Sequence, residues 1–277
     1  MLVSTATLAA HLGDPDWIIF DCRHDLADFG RGLRLYREGH VPGAFFAAVE
    51  TDLSGPKTGR NGRHPLPEPQ AFADFLGRHG VSETSTVVAY DDVGGQYSAR
   101  LWWMARWIGL RHVALLDGGY PKWIAERRPV TTEIPPASAT PLRAQPHPDM
   151  AWTSGDVERR LADARSGLID ARAAERYRGE KEPIDPVAGR VPGSLHRFYK
   201  DNLNADLTLR PPAELKREFE ALLAGRDPRD VGHQCGSGIT ACANLFAMEY
   251  AGLPGSKLFA GSWSEWIADS SRPIARG

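Results

Sequence analysis

The chain has 277 residues with a formal net charge of -2 at pH 7, which excludes the strongly basic surface typical of nucleic-acid or anionic-membrane binding. Three cysteines are too few for a disulfide framework, and no segment approaches the ~20 apolar residues of a membrane-spanning helix. Because the N-terminus also lacks the basic region of a secretory signal, we expect a cytoplasmic protein without nucleic-acid or membrane partners.

Short apolar runs alternate with helical patterns in the first half of the chain. The apolar runs end in Asp or Gly, as buried strands often do before a turn. Strands that alternate with helices indicate a mainly parallel sheet covered by helices, so an α/β fold is expected. The predicted strands cover residues 17–23, 86–92 and 112–119, and the predicted helices cover Pro69–His79 and Ser98–Leu110.

A proline-rich segment separates the two halves. It contains five prolines and no sustained apolar periodicity. Proline removes backbone donors and fixes φ, so the segment is interpreted as an extended linker. The predicted domains are therefore residues 1–130 and 151–277, joined by a linker at 131–150.

The second half begins a new series of elements. Residues Thr153–Arg165 form an amphipathic pattern whose start offers Thr or Ser as an N-cap. Pro212–Gly225 begins with proline and ends at glycine, as helices often do. A strand at Val231–Gln234 then leads into Cys235 and a further helical pattern. Ligands of such sheets lie beyond the carboxyl ends of the strands, which is where Cys235 falls.

The two halves resemble each other in sequence. Asp21 and Arg23 are matched by Asp170 and Arg172. Several landmarks in the same order indicate a duplicated globular domain rather than a solenoid. The other matched motifs are Gly39–Ala44 with Gly189–Ser194, Thr86–Asp91 with Asp230–Cys235, and Asp117–Trp123 with Ala260–Trp266.

Cys235 begins the most distinctive motif, Cys-Gly-Ser-Gly-Ile-Thr, at a predicted turn from strand to helix. Two glycines let the backbone curl so that its N–H groups form an anion-binding nest, and the helix N-terminus adds partial positive charge. Both effects favour thiolate over thiol. Cys22 and Cys242 lie in apolar patterns and are interpreted as packing residues.

With these motifs in place, the chain resembles a tandem-domain rhodanese over nearly its whole length. Tyr36–Ala44 is similar to the family's N-terminal signature, Gly261–Trp266 to its C-terminal signature, and Cys235–Thr240 to its active-site loop. The resemblance implies two rhodanese-like domains and a sulfurtransferase that carries sulfur as a Cys235 persulfide. It also implies a catalytically silent first domain, and Asp91 indeed stands at the position of the cysteine there.

The resemblance is strongest to the 3-mercaptopyruvate branch, because Gly236 and Ser237 stand where thiosulfate-using members tend to have basic residues. It implies that Arg176 holds the donor's anionic group. Ile184 stands where that branch often has a second arginine, and Arg178 or Arg190 are the candidate substitutes. The remaining residues of the loop that we assign to substrate binding, besides Gly236, are Gly238, Ile239 and Thr240.

The same branch implies a serine–histidine–aspartate set, here Ser237, His64 and Asp52, that would polarise the donor's carbonyl or move a proton. The expected acceptors are cyanide, a thiol or reduced thioredoxin, and neither a cofactor nor a metal is expected. The alternatives are a thiosulfate sulfurtransferase and a non-catalytic binding module. A cysteine phosphatase is disfavoured, because Ala241 stands where that class needs an arginine.

Overall fold

The computed structural model describes residues 2–277, which form two compact units. Unit 1 contains the residues up to Gly55, Pro67–His147 and Leu203–Leu209, and unit 2 contains Pro56–Leu66, Pro148–Asn202 and Arg210–Gly277. Each unit thus includes a short segment from the other half of the sequence. None of the helices in residues 2–277 has the length and hydropathy that crossing a membrane requires.

Unit 1 is built on a five-stranded sheet whose neighbouring strands all run parallel, in the order β1-β5-β4-β2-β3. Its core packs strand residues such as Ile19 and Val88 against Leu8 and Trp123 from helices. The strands are β1 (Leu2–Val3), β2 (Trp17–Asp21), β3 (Ala44–Phe46), β4 (Thr86–Tyr90) and β5 (Val113–Leu116), and the helices are α1 (Thr5–Ala10), α2 (Arg31–Glu38), α3 (Pro69–Arg78), α4 (Ser98–Trp107) and α5 (Gly119–Ala125).

Unit 2 repeats this topology with the parallel order β6-β10-β9-β7-β8. The predicted α/β class and the duplication are therefore confirmed. The strands are β6 (Ala151–Trp152), β7 (Gly167–Asp170), β8 (Leu195–His196), β9 (Val231–Gln234) and β10 (Lys257–Phe259), and the helices are α6 (Ser154–Leu161), α7 (Ala174–Tyr177), α8 (Pro212–Leu223), α9 (Ala241–Tyr250) and α10 (Ser262–Trp266).

Helix ends follow from local chemistry. The hydroxyl of Thr153 accepts from the N–H of Asp156, and the Asp156 carboxylate accepts from the N–H of Thr153, so Thr153 is the N-cap of α6 and forms a capping box with Asp156. The helix ends at Leu161, before the predicted Arg165. At the end of α8, Ala224 adopts a left-handed φ of 49° ahead of the glycine that the sequence marked as the stop.

A buried Asp–Arg pair explains the first sequence echo. In unit 1, Arg23 donates from Nη2 to Asp21 Oδ2 at 2.6 Å and to the carbonyl of Gly39 at 2.7 Å. In unit 2, Arg172 donates from Nη2 to Asp170 Oδ2 at 2.7 Å, and likewise to the carbonyl of the Gly189 motif. Each pair therefore ties the strand that carries it to the following Gly-x-Val-Pro-Gly turn.

Most of the segment predicted as a linker belongs to unit 1, which includes the chain up to His147. Thr131 forms an isolated antiparallel β-bridge with His40. The N–H of Thr140 donates to the carbonyl of Gly77 at 2.9 Å. Between residues 132 and 147 the structure describes neither helix nor strand. Because proline has no N–H to donate, the stretch forms no regular element of its own, and several of its other backbone groups hydrogen-bond to the rest of unit 1.

Candidate active site

Cys235 lies at the carboxyl end of β9, immediately before the turn that begins α9. Cys235 is only 2% exposed to solvent. Gly238 in this turn has a φ of 78°, and a Cβ built there would lie 2.2 Å from the carbonyl oxygen of Ala260. Glycine is therefore required at this position both by the backbone conformation and by the close approach of the Ala260 backbone.

The start of α10 fixes the Cys235 loop. The N–H of Cys235 donates to Ser262 Oγ at 3.1 Å, and its carbonyl accepts from the N–H of Trp263 at 3.1 Å. The carbonyl of Gly236 accepts from the N–H of Ser264 at 2.9 Å. The C-terminal signature thus holds the Cys235 loop in place through hydrogen bonds of three consecutive residues.

Unit 1 contains the equivalent loop with a carboxylate in it. Asp91 follows β4 as Cys235 follows β9, and it is 1% exposed. Five donors of its own loop surround the carboxylate, so this turn geometry binds a negative charge without a side-chain cation. The donors, at 2.8–3.0 Å, are the N–H groups of Val93, Gly95, Tyr97 and Ser98 and the hydroxyl of Ser98.

Ser237 and His64 meet beside the Cys235 loop. His64 Nδ1 lies 2.7 Å from Ser237 Oγ, and both residues are nearly inaccessible to solvent. His64 comes from the Pro56–Leu66 segment, which belongs to unit 2. The structure therefore brings together the serine and the histidine of the predicted set, and a hydroxyl–imidazole pair of this kind can polarise a carbonyl or move a proton.

Asp52, the third member of that set, belongs to unit 1. Its Oδ2 accepts from the N–H of Ala48 at 2.8 Å. Burial raises the pKa of its carboxyl above the ordinary value, and the hydrogen bond from Ala48 opposes this. The predicted link from Asp52 to the serine–histidine pair stays a prediction.

Two arginines reach the residue that follows Cys235. A Cβ built on Gly236 would lie 2.8 Å from Arg63 Nη2 and 3.3 Å from Arg176 Nη2. Arg176 was predicted to lie here, whereas Arg63 was missed. No motif of the sequence marks Arg63, although it immediately precedes His64. Burial lowers the pKa of Arg63, and negative charge on Cys235 opposes this shift, so the guanidinium and the thiol are electrostatically coupled.

The two candidates for a second arginine from the 176–190 region make other contacts in the structure. Arg178 is exposed and donates to Glu180 Oε1 at 2.6 Å. Arg190 donates to the carbonyl of Gly277 and lies over the ring of Tyr177. Arg63 supplies the second guanidinium instead, from a segment that precedes this region by more than a hundred residues of sequence.

Carboxylates hold these guanidinium groups. Glu182 accepts from Nε of Arg176 through both of its oxygens at 3.1 Å, and its Oε2 lies 3.4 Å from Arg172 Nη1. Asp185 accepts from Arg63 Nη1 and, at 3.0 Å, from Arg176 Nη2. Sequence reasoning assigned no role to either acid. The site is therefore an ion-pair network built around the Cys235 loop.

The two remaining loop residues contribute mainly backbone. Ile239 is 2% exposed, and its carbonyl accepts from the N–H of Cys242. Thr240 is the N-cap residue of α9, and its side chain makes no capping hydrogen bond. Their assignment to substrate binding stays a prediction, and in this structure it would act through the peptide groups of the turn.

The other cysteines pack in the interior. Cys242 is buried and donates from Sγ to the carbonyl of Gly238 at 3.4 Å. Burial and the nearby charge of Asp21 raise the pKa of the Cys22 thiol well above its ordinary value. Both observations agree with their interpretation as packing residues. Within residues 2–277, no group of three or more His, Cys, Asp or Glu is arranged to hold a metal ion.

Comparison with known proteins gives a consistent set of relatives. A family model described as "Rhodanese-like domain" matches residues 4–126 and 153–269. A Pseudomonas aeruginosa protein named "Probable 3-mercaptopyruvate sulfurtransferase" is 45% identical, covering 100% of this chain and 98% of the relative. Thiosulfate sulfurtransferase of Mus musculus is 34% identical, covering 96% of this chain and 91% of that one. The solved structure of SseA from Escherichia coli, described among 3-mercaptopyruvate sulfotransferases, matches with a TM-score of 0.80 and 29% identity, covering 95% and 98%.

Proposed function

Since the chain belongs to the rhodanese family of sulfurtransferases, with a small-molecule sulfur donor and acceptor, we propose that its donor is 3-mercaptopyruvate and that Cys235 carries the sulfur. The thiolate of Cys235 attacks the donor's sulfur, and the carbon–sulfur bond breaks. Its electron pair leaves on pyruvate as an enolate, which takes up the proton that the donor's thiol gives up. An acceptor thiolate or cyanide then attacks the outer sulfur of the persulfide and regenerates the Cys235 thiolate.

The contact between Ser237 Oγ and His64 Nδ1 at 2.7 Å carries this choice of donor. An enolate leaving group needs its oxygen stabilised and a proton delivered, and a serine–histidine pair supplies both. Thiosulfate leaves sulfite, a stable anion that needs neither. The assignment of Asp52 as the third member of this set stays a prediction.

The arginines at Gly236 support binding of the donor's carboxylate. Arg63 and Arg176 place guanidinium nitrogens within 3.5 Å of the position of a side chain at residue 236. A planar guanidinium suits a carboxylate held through two oxygens. Because Gly236 has no side chain, both guanidinium groups can approach the backbone next to Cys235.

Donor kinetics of the wild-type protein and of Ser237→Ala and His64→Ala test the proposal. We expect a higher kcat/KM with mercaptopyruvate than with thiosulfate. Each substitution should lower kcat with mercaptopyruvate by about 100-fold, the usual contribution of a positioned proton-transfer group, and should change thiosulfate turnover much less.

Thiosulfate is the second candidate donor, because Arg63 and Arg176 bring two cations to a loop that has none of its own. A higher kcat/KM with thiosulfate, together with an equal loss for both donors in the two variants, would favour it and would contradict the role given to the serine–histidine pair. No sulfur transfer with either donor would instead support a binding module.

A further inference from the structure

Asp185 lies between the two arginines of the site. Its Oδ1 accepts from Arg63 Nη1, and its Oδ2 accepts from Arg176 Nη2 at 3.0 Å. The carboxylate side chain is only 2% exposed. A bridging carboxylate removed from solvent interacts with both guanidinium groups far more strongly than a surface ion pair would.

The position of Asp185 is set by its own segment. Oε1 of Glu182 accepts from the N–H of Asp185 and from the N–H of Ile184, each at 3.1 Å. The same oxygen accepts from Arg176 Nη2 at 2.7 Å. Glu182 is therefore the turn-forming acid of this segment, whereas the Asp185 carboxylate bonds only outward, to the two arginines that approach Gly236.

Asp185 changes the charge that a donor meets. It engages Nη1 of Arg63, while Nη2 of Arg63 is the atom nearest to Gly236. Asp185 thus hydrogen-bonds the nitrogen of Arg63 that lies away from Gly236, and its negative charge offsets much of the positive charge of this guanidinium. At Arg176 the carboxylate accepts from Nη2, which is also the Arg176 nitrogen nearest to Gly236. Three guanidinium groups in the network (Arg63, Arg172 and Arg176) are balanced by three carboxylates (Asp170, Glu182 and Asp185).

We propose that Asp185 is a specificity-determining residue, which makes the anion pocket accept a monoanionic donor and disfavour a dianionic one. This inference rests on the proposed use of mercaptopyruvate as the sulfur donor. Mercaptopyruvate is a monoanion, whereas thiosulfate is a dianion. The repulsion between the Asp185 carboxylate and a bound anion is proportional to the anion's charge, so removing the carboxylate charge favours binding of a dianion about twice as much as binding of a monoanion. The ratio of the two specificity constants therefore reports the charge of Asp185 separately from its packing.

Asp185→Asn keeps the shape of the side chain and removes its charge. We expect the ratio of kcat/KM for thiosulfate to that for mercaptopyruvate to rise at least about tenfold, which corresponds to a coupling of about 1.4 kcal/mol. Asp185→Glu keeps the charge and should leave the ratio within about twofold of wild type, even where absolute rates fall. Glu180→Gln, an exposed acid of the same segment that pairs with Arg178, is the matched control and should leave the ratio unchanged.

A donor-independent readout separates this inference from the proposed function. The thiolate of Cys235 displaces iodide from iodoacetate, an anion, and from iodoacetamide, which is neutral. Asp185→Asn should raise the ratio of the alkylation rate with iodoacetate to that with iodoacetamide at Cys235 by about fivefold or more. A wild-type preference for thiosulfate with this rise intact would overturn only the choice of donor. An unchanged alkylation ratio, or an equal loss with both donors, would overturn the role of Asp185.

Discussion

Arg63 and Arg176 are distant in sequence, yet both approach the same glycine beside Cys235. In the proposed mode of donor binding, loss of either guanidinium would remove a charge-assisted hydrogen bond worth about 1.5–3 kcal/mol. We therefore expect Arg63→Ala and Arg176→Ala each to raise the KM for mercaptopyruvate by about tenfold or more. Steady-state kinetics with the exposed neighbour Arg60→Ala as control checks this, and an unchanged KM for Arg63→Ala would remove it from the anion pocket.

His233 is a second residue with a measurable consequence. It is fully buried in β9, and neither ring nitrogen has a hydrogen-bond partner within residues 2–277. Burial lowers its pKa to about 3, whereas a histidine in the unfolded chain titrates near 6.5. Between these values the unfolded state binds one more proton, so this residue lowers stability as the pH falls below about 6.5.

The substitution His233→Leu removes that titration while keeping a side chain of similar size. We expect wild type to lose about 2 kcal/mol more unfolding free energy than the variant between pH 7.5 and pH 5. Urea unfolding at the two pH values measures the difference. His79→Leu, a partly exposed histidine of α3's C-cap, is the comparison; equal pH dependence in wild type and His233→Leu would show that His233 is not the titrating group.

At the scale of elements, the Cys235 turn is restricted by its glycines in two different ways. At Gly238 a Cβ would lie 2.2 Å from a backbone carbonyl, which cannot move without shifting β10, whereas at Gly236 it would meet the flexible end of Arg63. We expect Gly238→Ala to lose more than ~2 kcal/mol of stability together with activity, and Gly236→Ala to raise KM with little change in Tm.

Gly252→Ala provides the matched control for this comparison. Gly252 has a φ of 80°, and a Cβ built there meets nothing within 4 Å. Its substitution should therefore cost only the backbone strain of about 1 kcal/mol. Thermal unfolding and kinetics of the three variants measure these effects, and equal stability of Gly238→Ala and Gly252→Ala would contradict the close approach seen at Gly238.

The elements that the sequence predicts lie near their observed limits because their signals are local. Apolar runs and end residues place β2, β4, α4 and α8 within a few residues of those limits. Short elements such as β1, α1 and β8 were not predicted, and α6 ends early, at Leu161, because the pattern of polar and apolar residues continues past the point where the structure turns. A hydrophobic pattern fixes which face is buried more firmly than where a helix stops.

At the scale of the whole chain, the duplication was visible because each repeated motif has a structural task in both units. The Asp–Arg pairs make the same contacts in both units, and equivalent loops follow β4 and β9, one with Asp91 and the other with Cys235. The site residues Cys235, Ser237, His64 and Arg176 follow from the resemblance to the rhodanese family, and the structure places these four in unit 2; their roles stay a prediction.

Arg63 and Asp185 could not be predicted in this way. The Pro56–Leu66 segment belongs to unit 2 although it lies within the first half of the sequence. Its arginine then pairs with an acid 122 residues away in the chain. No local periodicity or motif records a contact of that separation, which depends on tertiary structure alone.

Formation of a persulfide on Cys235 is the most direct test of the proposed sulfur transfer. Intact and peptide mass spectrometry after mixing with mercaptopyruvate should show one added sulfur atom, located on the peptide of Cys235 and removed by cyanide. Cys235→Ser should show none, and Cys242→Ser should retain it. Sulfur added to Cys22 or Cys242 instead, or no addition to the wild-type protein with either donor, would contradict the account.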